Sequence, residues 1–356
     1  MSCILVMAGG TGGHVIPALA AARCLQESDV EIVWIGTSDG LEAKLVPEAG
    51  FELRTIQIKG LRQSGIIRLL LMPFMLVWAM LQAGWVIFRR KPDCVLGMGG
   101  FASGPGGLVA GLIRRPLILH EQNAVAGLTN RYLAWFAERV LTGFPIVEGI
   151  GEFTWVGNPV RQEITDIPAP EERLRGREGP MRLLVVGGSH GASVFNQHLP
   201  ELLGRKRYLT LEVWHQCGQA GAGDIGERYL EAGISCEVNG FIQDMARAYA
   251  WCDVIVCRAG AMTVSEVCAA GVVAIFVPYP HAVSDHQTRN AAYLHSQSAA
   301  HLVQQEDFML GGWLEYLSEF QNDRLSLVKM AKAARRLARP EAAREVAQVC
   351  MEAMHA

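Results

Sequence analysis

The sequence opens twice in the same way. Ile4–Met7 is a short apolar run leading into Gly9-Gly10-Thr11-Gly12-Gly13-His14 and then a helix-length segment. Leu183-Leu184-Val185-Val186 leads into Gly187-Gly188-Ser189-His190-Gly191, and a helix-length segment follows again. An apolar strand that turns through glycines into a helix is the start of a βαβ unit, whose strands pair in parallel under helices on both faces. The alternation continues at Ile32–Ile35, Leu53–Ile58, Cys94–Leu96, Leu117–Leu119 and Val140–Leu141. It resumes at Leu211–Trp214, Cys236–Val238, Val254–Cys257 and Val273–Val277. The charged stretch Asp166–Pro180 reads as surface or linker. This grammar predicts two Rossmann-like, doubly wound parallel-sheet domains, 1–160 and 161–339, with a final helix at 340–356 packing back onto the first. Ligands of such sheets sit outside the carboxyl ends of the strands, so the expected active site is a cleft where the two sheets face each other.

The net charge of −3 excludes a general polycation for nucleic acid. The nine cysteines are scattered and never spaced C-x-x-C. They read as free core thiols of a reducing compartment, with no disulfide framework and no zinc site. The start, Met1-Ser2-Cys3-Ile4, runs straight into a strand-like segment, so no secretory signal is expected.

The glycines of Gly9–Gly13 let backbone N–H groups approach an anion at a helix N-terminus. A dinucleotide fingerprint fits poorly: counted from Gly10, the last glycine position is Val15, and the second strand ends in Gly36-Thr37 where a ribose-binding acid belongs. His14 reads either as a general base at the mouth of the site or as a helix-start residue bonded to backbone. A second turn, Gly97–Pro105, follows the Cys94–Leu96 strand, and His120-Glu121-Gln122-Asn123 ends an apolar strand with four polar residues. Position 124 is Ala, which rules out the H-E-x-x-H metalloprotease pattern. In the second half, Arg258–Glu266 reads as a strand end followed by a helix that begins at Thr263 or Ser265, with Glu266 in its first turn. There, Glu266 either caps the helix or accepts hydrogen bonds from a ribose. Pro280–Asn290 is densely polar and suited to orienting a sugar. No Asp-x-Asp pair occurs anywhere, so a diphosphate is expected to be held by backbone dipoles and Arg, without a metal.

Seven strings carry a family resemblance: GGTGGH (Gly9–His14), GMGGFASGP (Gly97–Pro105), HEQNAVAGLTN (His120–Asn130), VGNPVR (Val156–Arg161), VVGGSHGA (Val185–Ala192), RAGAMTVSE (Arg258–Glu266) and DHQTRNA (Asp285–Ala291). In this order and at these separations the chain resembles the MurG family of undecaprenyl-diphospho-muramoylpentapeptide N-acetylglucosaminyltransferases. The resemblance implies a GT-B fold, with UDP-GlcNAc held mainly by the second domain and a lipid-linked acceptor by the first. It implies donor contacts at Thr11, Gly12, Gly13, Asn123, Arg161, Ser189, Ile242, Ala261, Met262, Thr263, Val264, Ser265, Glu266 and Gln287. Glu266 would hold the ribose and the backbone near Ile242 would read uracil. His14 is the candidate base, with Glu121 and Asn123 as further catalytic candidates. The region around Gln287 departs most from the family pattern.

The most hydrophobic stretch is Ile66–Phe88, uncharged from Leu69 onward and long enough to span a bilayer. Three features oppose a span. It lies between strands of one sheet, basic residues flank both ends, and Pro73 is expected to split it into a short Ile66–Met72 piece and a separate Phe74–Phe88 helix. A peripheral contact through Ile66, Ile67, Leu70, Leu71, Phe74, Met75 and Trp78 is expected instead, with the neighbouring Arg residues favouring anionic lipids.

Together these readings predict an inverting transferase on the cytoplasmic face of the inner membrane. It would move GlcNAc from UDP-GlcNAc to the C4 hydroxyl of undecaprenyl-diphospho-MurNAc-pentapeptide, with no cofactor and with cell-wall assembly proteins as partners. The rival readings are a UDP-GlcNAc 2-epimerase-like GT-B enzyme, a dehydrogenase, and a non-catalytic scaffold that binds nucleotide sugar.

Overall fold

The computed structural model describes residues 2–58, 66–188, 191–218 and 221–355, with side chains omitted for 66–70. The chain divides into two compact units, Met1–Arg161 with Arg339–Ala356, and Gln162–Ala338.

The first unit holds a seven-stranded sheet in the order β3-β2-β1-β4-β5-β6-β7. Its strands are β1 (Cys3–Met7), β2 (Glu31–Gly36), β3 (Glu52–Thr55), β4 (Cys94–Gly97), β5 (Leu117–Glu121), β6 (Arg139–Thr142) and β7 (Thr154–Trp155). All pairings are parallel. β1 sits centrally and is buried along its whole length, as its unbroken apolar run requires. One face is covered by α1 (Gly12–Gln26) together with the helix Ala342–Met354, whose Val346, Ala347 and Cys350 join the core under α1. The other face is covered by α3 (Ile66–Arg90), through Ala79, Ala83, Val86 and Ile87, and by α4 (Ser103–Leu112), which packs against α3.

The second unit holds a six-stranded sheet in the order β10-β9-β8-β11-β12-β13. Its strands are β8 (Met181–Val186), β9 (Leu211–Gln216), β10 (Ser235–Asn239), β11 (Val254–Cys257), β12 (Val273–Phe276) and β13 (Ala300–Leu302), again all parallel.

Two expectations need correction here. The strand expected over Leu53–Ile58 stops at Thr55, because its partner β2 ends at Gly36, the residue paired with Thr55; just beyond, Gln57 donates its N–H to Gln82 Oε1 of α3 at 2.7 Å. That bond also accounts for Gln82, the one polar side chain in the apolar part of α3. Nor does Pro73 split that segment: α3 is a single helix from Ile66 to Arg90 with Pro73 inside it. Pro73 lies on the exposed face, where water can serve the carbonyl that proline leaves unpaired one turn earlier.

Leu71–Arg90 is long and apolar enough to cross a membrane by length and composition. Its inward face nevertheless covers the sheet, and β4, which follows it, pairs directly with β1, which precedes it. The outward face carries Leu71, Phe74, Val77, Trp78, Leu81, Trp85 and Phe88, with Phe74 74% and Phe88 79% exposed. Met75 is half-buried, and Ile66, Ile67 and Leu70 lie outside the described side chains.

Candidate active site

In the first unit the turn after β1 is held from within. Glu42, at the start of α2 (Glu42–Glu48), is fully buried. Its Oε2 accepts the N–H of Gly10 at 2.9 Å. Its Oε1 accepts the N–H and the hydroxyl of Thr37 at 2.8 and 2.7 Å. The side chain fills the space that a Cβ on Gly9, Gly36 or Gly40 would need. Glu42, at the start of α2 and beyond the end of β2, is therefore turned inward onto the glycine turn. The N–H of Gly10, read in the sequence as open to an anion, is occupied.

The second glycine turn lies against the first. Gly99 and Gly100 have φ values of +86° and +80°, and a Cβ on Gly100 would collide with the carbonyl oxygen of Gly9. Ser103 fixes this turn, its one hydroxyl hydrogen lying between Met7 O at 2.8 Å and Gly99 O at 2.6 Å. His14, in the first turn of α1, sits at the seam, and a Cβ on Gly99 would fall 3.0 Å from its Nδ1. That Nδ1 lies 3.1 Å from both Met98 O and Gln122 Oε1. Among the described residues no hydrogen-bond partner meets Nε2. Thr11 is exposed, Gly12 and Gly13 are half-buried, and no side-chain cap closes the start of α1.

Glu121, at the end of β5, is buried and serves its own loop. Oε1 accepts from the backbone N–H of Asn123 at 3.0 Å and from Asn123 Nδ2 at 3.2 Å. Oε2 accepts from Gly127 N at 3.1 Å and Asn130 Nδ2 at 2.9 Å. This geometry makes Glu121 an organiser of the 121–130 segment, and it aims the Asn123 amide back at the strand end. Arg161 is the half-buried last residue of the first unit's main segment.

In the second unit the helix after β11 runs from Ala261 to Ala270. It starts earlier than expected, because Gly260 in extended conformation (φ −62°, ψ 145°) serves as N-cap with no side-chain cap. Glu266 therefore stands in the second turn, and the reading of Glu266 as a first-turn cap fails. Ala261, Met262, Val264 and Glu266 are buried, while Thr263 and Ser265 are half-buried. Ser265 donates back to Ala261 O at 3.0 Å. The backbone N–H groups of the first turn are left without helical partners, which suits an anion.

Glu266 Oε2 accepts from the hydroxyl of Tyr249 at 3.1 Å. Ile242 is buried and its N–H donates to Gln216 Oε1 at 3.0 Å, while Gln216 Nε2 donates to Gly188 O at 2.9 Å. Sequence reading missed Tyr249 and Gln216. The only signal for Gln216 was a polar residue closing the apolar strand β9. Gln287, in the first turn of the helix His286–Ser296, accepts the N–H of Tyr279 at 2.9 Å. The preceding Ser284 and Asp285 both adopt left-handed φ, near +50°. Ser189 lies outside the described residues. Among the described residues no three His, Cys, Asp or Glu side chains gather as a metal site would require.

The model of the glycosyltransferase family 28 N-terminal domain matches residues 4–142, and that of its C-terminal domain matches residues 182–346. A UDP-N-acetylglucosamine--N-acetylmuramyl-(pentapeptide) pyrophosphoryl-undecaprenol N-acetylglucosamine transferase of Marinobacter nauticus is 50% identical over 98% of this chain and 97% of its own. One of Aeromonas hydrophila is 51% identical over 98% and 96%. The crystal structure of Acinetobacter baumannii MurG superposes with a TM-score of 0.86 at 38% identity, covering 99% of this chain and 100% of that one. This chain belongs to the MurG family.

Its two sheets are thus the two halves of a GT-B fold. A MurG-family member is a hexosyltransferase, which sets aside the dehydrogenase reading and the non-catalytic scaffold. The UDP-GlcNAc 2-epimerase of Neisseria meningitidis, solved with UDP-GlcNAc, has a TM-score of 0.68 but only 12% identity, so its likeness is one of fold.

Proposed function

We propose that this chain transfers N-acetylglucosamine from UDP-GlcNAc to the C4 hydroxyl of undecaprenyl-diphospho-MurNAc-pentapeptide. The observation that carries the reading is half-identity, end to end, with relatives named for that transfer. The acceptor hydroxyl attacks the anomeric carbon and forms the new β-1,4 C–O bond. The bond to the diphosphate oxygen breaks, and its electron pair leaves with UDP. The hydroxyl proton passes to Nε2 of His14, whose other nitrogen is engaged by Met98 O and Gln122 Oε1.

The donor is assigned to the second unit. The uncapped N-terminus at Ala261–Thr263 would face the diphosphate, helped by Ser189 and Arg161. Glu266, steadied by Tyr249, would accept from the ribose. Uracil reading near Ile242 would use its carbonyl, or would require its N–H to leave Gln216. Gln287 is assigned to the sugar. The acceptor is assigned to the first unit near His14, where Thr11, Gly12, Gly13 and Asn123 are read as further contacts to the donor.

The exposed apolar face of α3 is assigned to the membrane surface that carries such an acceptor. Leu112 and Ile113, both exposed at the end of the adjoining α4, extend it, and Arg89, Arg114 and Arg115 stand beside it for anionic head groups. The location is peripheral, on the cytoplasmic side of the inner membrane, with cell-wall assembly proteins as partners. Radiolabelled UDP-GlcNAc incubated with the lipid-linked muramyl-pentapeptide tests the activity. Lipid-linked disaccharide and UDP are the expected products. Formation of an epimerised nucleotide sugar, or binding without turnover, would refute it.

A further inference from the structure

His120 in β5 and Gln122 just past its end carry polar side chains that bond away from Glu121 and its loop. His120 is wholly buried, and Gln122 is buried beside it. His120 Nε2 lies 2.8 Å from Gly157 O. His120 Nδ1 lies 3.2 Å from Gln122 Nε2, which also lies 2.9 Å from Met98 O. Gln122 Oε1 lies 3.1 Å from His14 Nδ1. Carbonyl oxygens only accept, and the two in this chain fix every proton along it. Gly157 O requires His120 to carry its hydrogen on Nε2, which leaves Nδ1 as an acceptor. Met98 O requires the amide nitrogen of Gln122 on its own side, and that nitrogen also serves His120 Nδ1. The amide oxygen then faces His14, whose Nδ1 must be the donor, toward Gln122 and Met98 O together. The lone pair of His14 is left on Nε2.

We propose that His120 and Gln122 are positioning residues that hold His14 in the Nδ1–H tautomer, with Nε2 ready to take the acceptor's proton. The proposal rests on the reading of His14 as base. His120 does not act as a proton carrier: burial pushes its imidazole down to about 4, and it stays a neutral link. The four polar residues that close β5 thus divide by side-chain direction. Glu121 and Asn123 order the loop, and His120 and Gln122 orient the base.

Two measurements on the full-length protein test this. Histidine side-chain nitrogen NMR, assigned with His14→Gln and His120→Gln, should show Nδ1–H for His14 and Nε2–H for His120. Kinetics on Gln122→Leu should show kcat down by about tenfold to a hundredfold with KM for UDP-GlcNAc within about twofold, and no further loss when the change is made in His14→Ala. His120→Gln, which keeps one donor and one acceptor, should retain most of the activity that His120→Leu loses. An Nε2–H signature for His14, an undiminished loss from Gln122→Leu in the His14→Ala background, or equal impairment by His120→Gln and His120→Leu would each overturn the proposal. A small effect of His14→Ala by itself would remove the base reading, and the NMR signature would still report on the hydrogen-bond chain.

Discussion

Tyr249 donates its hydroxyl hydrogen to Glu266 Oε2 at 3.1 Å, with both side chains buried inside the second unit. The bond steadies a carboxylate whose proposed role is to accept from ribose hydroxyls. A hydrogen bond to a charged group contributes roughly 1.5–3 kcal/mol, so Glu266→Ala is expected to weaken UDP-GlcNAc binding by about ten- to a hundredfold. Tyr249→Phe removes only the support and is expected to weaken it by about three- to tenfold. Calorimetric titration of both variants with UDP and UDP-GlcNAc checks this. Unchanged affinities would leave the pair as a core contact only.

His14→Ala is expected to lower kcat by about 10²–10⁴-fold, the usual contribution of a general base, while donor affinity changes little. Measuring kcat and donor affinity on the same folded preparation separates the two. A small loss of kcat would make His14 a structural residue of the glycine seam.

Chelation is expected to leave donor binding intact and transfer active. The sequence has no Asp-x-Asp pair, and the uncapped start of the helix Ala261–Ala270 offers backbone N–H groups to a diphosphate. Titration and turnover after EDTA treatment give the answer. Loss of both, restored by Mg²⁺ or Mn²⁺, would contradict this part of the mechanism.

Vesicle flotation tests the α3 face. Leu71→Glu, Phe74→Glu and Leu81→Glu together place acids on an exposed surface without touching the Ala79, Ala83, Val86 and Ile87 contacts beneath. The native protein is expected to float with anionic vesicles and to come off in high salt with mild detergent, whereas the triple variant stays in solution. A variant that floats like the native protein would place the contact elsewhere, and extraction only by harsh detergent would indicate a span.

Acid should destabilise the fold in a defined window. Burial pushes the imidazoles of His120 and His215 down to about 4 in the folded protein, against an ordinary value near 6.5. Between these values the unfolded chain binds protons that the folded one does not. Stability is therefore complete above about pH 6.5 and falls as pH drops toward 4, by up to about 1.4 kcal/mol per pH unit for each histidine. Thermal melts across pH 4–7 should show this decline, and His215→Gln should make it shallower. A melting temperature flat across that range would show that neither imidazole is held neutral.

The architecture was legible because its signals are local. An apolar run followed by glycines marks a strand end whatever surrounds it, and β1, β4, β8 and β11 all announce themselves this way. The edge strands β7 and β13 are two and three residues long and carry no periodicity to read. The start of the helix Ala261–Ala270 is not legible in the sequence, because Gly260 caps it with backbone alone and no polar side chain marks the position. Partners of buried polar groups were hidden for a different reason. Glu42 reaches Gly10 across 32 residues, and Gln122 reaches His14 across 108, through adjacency that exists only once the sheet has formed. Candidate residues such as Glu121 and Asn123 were visible as types, but their direction was not.

For inhibitor chemistry, Glu42 makes the first glycine turn a poor place to seat a phosphate mimic. One donor that would greet such a group, Gly10 N–H, is already taken by a side chain of the protein itself, and an acidic ligand would have to dislodge that fully buried side chain. Compounds built on the adenine dinucleotide pattern should pass this domain by. A neutral group that donates a hydrogen bond to His14 Nε2 is the better starting fragment.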